Sequence, residues 1–317
     1  RGLGDVYKRQ AWQRAAQIYA GRQDLANMAK YYEGLIKNFP KTSPAALAEA
    51  HFLLGRAAFD QGDFQSSISH MSEAKTLDPQ KYGEQVNVLT VLSYHKLQDV
   101  NKLKETLETL QKENPAAVSR VPDVIPAWLG LQAYGMKDLE TADKYMTWAT
   151  QNDQLQNVKK VIWRNLAKVR LALKKYDRAL VASNNFLKVE DQPYRRADGM
   201  LDKASILLGL GKYAEARKTA EEALALGVEG PLMASLKIVL GDISYAEKKF
   251  DEAAKHYGVT AELFVNDAEL KPKALFKAAE ALDKAGRKSE ASQYRARLQK
   301  EFPDWKQEGE SLPPDAR

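Results

Sequence analysis

Cysteine is absent from this chain of 317 residues, and histidine is scarce, confined to His51, His70, His95 and His256. Without cysteine there can be no disulfide, thiolate zinc site, cysteine nucleophile or cysteine-ligated iron–sulfur cluster. Four scattered histidines leave little material for a metalloenzyme or a triad hydrolase. Long apolar runs are missing too, and none approaches the ~18 residues that a membrane-spanning helix needs. The HExxH, GxSxG and GxxxxGK[ST] patterns do not occur, and no dense acidic calcium loop is present. GLGK at 209–212 resembles part of a phosphate loop, but no strand precedes it and a glycine is expected there for a turn between helices. No catalytic residues, metal or cofactor are therefore expected. What is present, 44% hydrophobic and 28% charged residues with a formal net charge of +6, is the composition of a folded, soluble protein.

The opening RGLGDVYKRQ, residues 1–10, begins with Arg and has no apolar core of the kind a signal peptide carries. It resembles translated adaptor sequence and is set aside as a non-native segment. Leaving it out lowers the net charge from +6 to +4. A leader upstream of it is compatible with this reading.

The rest of the chain repeats itself. GDF (62–64), KKYDRA (174–179), GKYAEA (211–216), KKFDEA (248–253) and GRKSEA (286–291) are variants of one turn. With the residue after each turn taken as position 20 of a unit, the anchors are Met28, Ser67, Leu103, Ala142, Ala179, Ala216, Ala253 and Ala291. Their spacings are 39, 36, 39, 37, 37, 37 and 38 residues. Position 4 is Trp12 and Trp163 in the first and fifth units. Positions 7 and 8 include Leu54-Gly55, Leu129-Gly130 and Leu240-Gly241, and position 24 includes Tyr32, Met71 and Tyr257. Pro40, Pro79, Pro115 and Pro303 close their units. The apolar spacing within a unit is helical, and each stripe is long enough for one helix.

This pattern resembles the tetratricopeptide repeat, W-x2-L-G-x2-Y…A-x3-F…P. The resemblance implies an all-α fold, a right-handed α-solenoid of about eight helix–turn–helix repeats. One repeat cannot bury its apolar face alone, so neighbours must stack. The proline-bearing stretch PAAVSRVPDVIP (115–126) is the expected seam. It divides an N-terminal block, 11–117 (repeats 1–3), from a C-terminal block, 118–303 (repeats 4–8). A polar tail, 304–317, is expected to fray.

Positions 5, 9 and 12 of the first helix form a stripe about 100° round from the packing face. In tetratricopeptide proteins that stripe lines a concave peptide-binding groove. Carried over by position, the candidates are Phe52, Arg56 and Phe59 in the second repeat, Tyr134 in the fourth, Lys160, Arg164 and Lys168 in the fifth, and Tyr245 in the seventh. Residues 151–220 hold 15 lysines and arginines against 7 aspartates and glutamates. An acidic peptide segment is the partner this suggests, and a solvated basic face is the alternative. Domains that clamp a C-terminal carboxylate would need lysine and two asparagines where Arg164, Lys168 and Asp202 stand, so no such clamp is expected. Trp163 falls on a packing position and offers the basic patch little base stacking, so nucleic acid is not the expected partner.

Residues 31–64 and 271–305 pair an F/YP ending with an A-x-A-x-[FY]-x-L-G-like start. They resemble bacterial envelope tetratricopeptide proteins of the Tol–Pal coordination and outer-membrane assembly lipoprotein type. That resemblance implies a place in the periplasm or at the outer-membrane periphery, with the cytoplasm as alternative. The expected function is a non-enzymatic scaffold binding partner peptides along a helical groove. The alternative is a repeat arm of a larger multidomain protein with a catalytic or anchoring domain upstream.

Overall fold

A computed structural model describes residues 3–39, 41–151, 156–263 and 267–306, with backbone alone for Leu3 and for 156–159. All regular elements among them are helical, and the chain forms two compact units, Arg1–Gln132 and Ala133–Arg317. The first unit holds α1 (Leu3–Gly21), α2 (Leu25–Asn38), α3 (Pro44–Asp60), α4 (Phe64–Leu77), α5 (Pro79–Lys96) and α6 (Val100–Glu113). A 3-10 helix, Pro115–Arg120, and most of α7 (Val124–Gly135) complete it. The second holds α8 (Leu139–Ala149), α9 (Gln156–Ala172), α10 (Tyr176–Val189), α11 (Pro193–Gly209) and α12 (Tyr213–Ala225). It continues with α13 (Gly230–Ala246), α14 (Phe250–Leu263), α15 (Leu270–Lys284) and α16 (Lys288–Glu301). Successive helices pack on one another from α1 to α6 and from α8 to α16, and so do first helices of adjacent repeats, such as α3 on α5, or α9, α11, α13 and α15 in series. This is the α-solenoid arrangement that the repeats predict.

The turns show why the register is so regular. One residue in each lies in the left-handed region: Gln23, Gly62, Gln98, Lys137, Lys174, Gly211, Lys248 and Gly286. In all eight, the next amide donates to the carbonyl five residues back, as in Asp63 to Ala58 (2.9 Å) and Lys212 to Leu207 (2.9 Å). That is the Schellman closure of a helix C-terminus. The anchor follows five residues later every time, and none of the eight anchors is more than 2% exposed. Glycine takes the left-handed position at no steric cost, yet only Gly62, Gly211 and Gly286 use it. The other five turns hold glutamine or lysine.

Close approach explains the small residues. A Cβ on Gly241 would enter the ring of Tyr257, and one on Gly34 would enter the indole of Trp12. The prolines play a second part that differs from the expected one. Pro79 does follow the last turn of α4, but it is also the first residue of α5, behind the Asp78 cap. There its missing N–H costs nothing. Pro40 lies outside the described residues.

Helix α1 begins at Leu3, so residues 3–10, set aside above as non-native, are part of the first helix. Gly4 to Lys8 are exposed, and the first buried side chain is Ala16. The units divide within α7, downstream of the proline-bearing seam expected at 117/118. At the other end Trp305, in the tail expected to fray, stands 5.7 Å from the ring of Phe276. Residues 307–317 lie outside the described residues.

Candidate functional site

On α3 the three groove candidates differ in what they touch. Phe52 is half-buried and stacks on Tyr82 of α5 (4.8 Å between centroids, 28° between planes). Phe59 meets Phe64 edge-on at 5.4 Å across its own turn. Both rings thus serve repeat packing. Arg56, between them, is exposed and makes no ion pair among the described residues. It borders a cleft of about 490 Å³ whose walls include Leu25, Met28, Leu53 and Asp60. A guanidinium beside Leu25 and Leu53 can take a carboxylate and bury an aliphatic neighbour.

The basic stripe of α9 is different, because carboxylates of this chain already occupy it. Lys160 Nζ is 3.1 Å from Asp191 Oδ1 and 3.9 Å from Glu190 Oε1. Arg164 donates to Asp198 through Nη2, and its Nε is 3.5 Å from Asp202 Oδ2. Lys168 Nζ reaches Asp202 at 4.0 Å. Asp198 and Asp202 share one face of α11 by their i,i+4 spacing. Burial pushes Asp202 up to about 6, against the pull of Lys168 and Arg164 and with the help of neighbouring Asp198. These acids lie one repeat beyond their partners, Asp198 and Asp202 each 34 residues after Arg164 and Lys168. That spacing was the available signal.

Tyr134 is half-buried near the end of α7, and Tyr245 on α13 meets Phe250 edge-on at 5.2 Å. Burial, with Glu280 beside it, raises the Tyr245 hydroxyl pKa. Asp242, one turn before Tyr245, accepts from Tyr257 Oη (2.6 Å) and Lys277 Nζ (2.8 Å). The candidates therefore fall on four helices: one triad on α3, one on α9, and single tyrosines on α7 and α13.

Sequence reasoning also missed a histidine pair. His51 of α3 and His70 of α4 face each other with Nδ1 atoms 3.0 Å apart, both half-buried. Burial lowers both pKa values, and for His51 the nearness of His70 adds to this. Among the described residues no group of three or more His, Asp or Glu side chains could hold a metal ion. None of the described helices is long and apolar enough to cross a membrane.

Models of the tetratricopeptide repeat match residues 201–264, residues 48–81, and residues 3–42 and 273–304, together more than half of the chain. Among curated protein sequences none matches significantly. Of solved structures, that of Naa15/Naa10 bound to HypK-THB is similar at 14% identity and a TM-score of 0.53, over 94% of this chain and 43% of that one. The apo form of RapI gives 14% identity and 0.50, over 82% and 78% of the two chains. A Rap protein complexed with competence and sporulation factor gives 13% and 0.50, over 81% and 77%. At such identities the likeness is one of fold.

Proposed function

Because the chain belongs to the tetratricopeptide-repeat superfamily, we propose that it is a non-enzymatic protein–protein interaction scaffold that binds partner peptides along its first-helix stripes. The observation that carries this is Arg56, exposed and without an ion pair among the described residues, beside a cleft of about 490 Å³ where Leu25 and Leu53 stand with Gln23 and Asp60. Phe52 and Phe59 flank it as a rigid frame. An acidic peptide suits that position, its carboxylate on Arg56 and an aliphatic side chain over Leu53 and Leu25. In the second unit Tyr134, Lys160, Arg164, Lys168 and Tyr245 are a separate set of candidate positions. For a ligand to engage the lysines and the arginine of that set, it must compete with Asp191, Asp198 and Asp202.

The F/YP endings support partners in bacterial envelope assembly at the periplasmic face. Affinity capture from native lysate tests the whole reading. A discrete protein retained by the parent and lost with Arg56→Glu is expected. Identical captures by parent and variant would remove Arg56 from the site, and an enzyme activity in the purified chain would end the scaffold reading.

A further inference from the structure

The excess positive charge of residues 151–220 is not spread evenly once ion pairs are drawn. Eight of its lysines and arginines, from Lys160 to Lys218, each face a carboxylate. Six have none within reach among the described residues: Lys174, Arg178, Lys188, Arg195, Arg196 and Lys203. Three of these six, Lys188, Arg196 and Lys203, line a single cleft of about 560 Å³ bounded by α10, α11 and α12. On α11 the cleft residues Arg196, Met200 and Lys203 follow i, i+4, i+7 spacing. They lie roughly 140° round the helix from its groove positions, so this is a different surface from the one described above.

Three properties make the cleft more than a charged patch. Arg196 is held in place before any ligand arrives, because its Nη1 donates to the carbonyls of Leu187 (2.6 Å) and Glu190 (3.3 Å) at the end of α10. Leu187, half-buried, supplies apolar surface between the cations, above the buried Met200. The lining carboxylate, Glu222, faces Lys218 at 3.9 Å, which leaves the charge of Lys188 and Lys203 unanswered. The volume is within the range of ligand pockets. A lone phosphate would leave Leu187 wet.

We propose that this cleft is a second binding site, for an acidic peptide segment whose carboxylates pair with Lys188, Arg196 and Lys203 and whose neighbouring aliphatic side chain covers Leu187. It rests on the scaffold reading but uses the opposite side of the first helix. The two sites would let the chain hold two segments at once, on different repeats.

The test is fluorescence anisotropy with a labelled octapeptide of alternating glutamate and leucine. Lys188→Glu/Lys203→Glu should weaken binding at least about tenfold, the loss expected when desolvated charge pairs are reversed. Lys174→Glu/Arg178→Glu, the same change in charge on exposed residues outside the cleft, should weaken it by less than about twofold. Equal weakening by both, or no binding by the parent, would overturn the site. Displacement of the peptide by an equal concentration of inorganic phosphate would also overturn it, by assigning the cleft to a small anion. Should the charge-reversed protein lose helical circular dichroism, Lys188→Gln/Lys203→Gln repeats the measurement. Arg56→Glu separates the two readings: partner capture lost with Arg56→Glu, alongside peptide binding indifferent to Lys188 and Lys203, removes the cleft and keeps the scaffold.

Discussion

Aspartate opens the second helix in the first four repeats, and lysine or arginine stands there in the last four. Asp24, Asp63, Asp99 and Asp138 each accept from the amide three residues on, at 3.1, 3.0, 2.9 and 3.1 Å. Lys175, Lys212, Lys249 and Arg287 hold the same place after the same left-handed turn. Two of them reach back into the preceding repeat instead, Lys175 to Asp143 (2.7 Å) and Arg287 to Asp251 (2.9 Å). The aspartates satisfy a local orphan amide. The cations sit unfavourably against the helix dipole, and in these two turns they tie one repeat to the next. Anchors divide the same way: Met28, Ser67, Leu103 and Ala142 vary in size, whereas Ala179, Ala216, Ala253 and Ala291 are all alanine. The first half adjusts each crossing separately, and the second keeps the crossing uniform and puts its variation into charge.

The contrast can be broken from either end. Leu103→Ala should cost the first unit roughly 3–4 kcal/mol, because Leu103 is fully buried and a cavity would remain. Urea melts of parent and variant measure it. Arg170→Met should cost the second unit about 3 kcal/mol. Arg170 Nε donates to Asp143 Oδ1 (2.7 Å) and Nη2 to Thr147 Oγ1 (2.8 Å), deep enough that Asp143 cannot turn to water. Burial alone would raise Asp143, but Lys175 and Arg170 hold its carboxyl below the ordinary value. Lys175→Met should cost less, since Lys175 is 40% exposed. Ala253→Leu installs the residue that Leu103 carries naturally, yet should destabilise by about 2 kcal/mol through overpacking. A thermal melt unchanged from the parent would mean that the two halves share one crossing geometry. Lys212→Asp should stabilise by about 1 kcal/mol and Asp138→Ala destabilise by a similar amount, through gain and loss of a cap.

The smallest effect is on pH dependence, and its sign differs between units. His51 and His70 are lowered in the folded state, so the unfolded chain binds protons first. Stability of the first unit should fall as pH drops below the ordinary histidine range. Glu33, Asp63 and Glu73 soften the fall by favouring the protonated forms. Asp202 is raised to about 6, so its contribution runs the other way. It is present below the ordinary carboxylate value and lost as pH rises through about 6. Thermal melts of His70→Asn and Asp202→Asn across pH 4 to 7 should each flatten one of the two slopes.

Repeat number, register and the eight anchors could be read from spacing alone, because each anchor follows its turn at a fixed distance. Five left-handed turns escaped, since Gln23, Gln98, Lys137, Lys174 and Lys248 carry no compositional mark of their backbone. The groove was legible as positions but not as chemistry. Lys160, Arg164 and Lys168 look like free charge in a local count, and their partners stand about one repeat away, where a window of 70 residues blends them with unrelated lysines. The cleft of Lys188, Arg196 and Lys203 was invisible for a related reason, as three helices must fold before its cations meet.

In every repeat the first helix ends two residues before the left-handed position and the second begins two residues after it. The stretches between a second helix and the next first helix, by contrast, range from the single residue Asp78 to the ten residues 114–123 with their 3-10 helix. Variation in repeat length is thus discharged away from the turn and its anchor, at the joints and at the outer ends of the helices. Lengthening or grafting should be tolerated at those joints. One residue added between a turn and its anchor would rotate the second helix by about 100° and turn the anchor away from the crossing it fills.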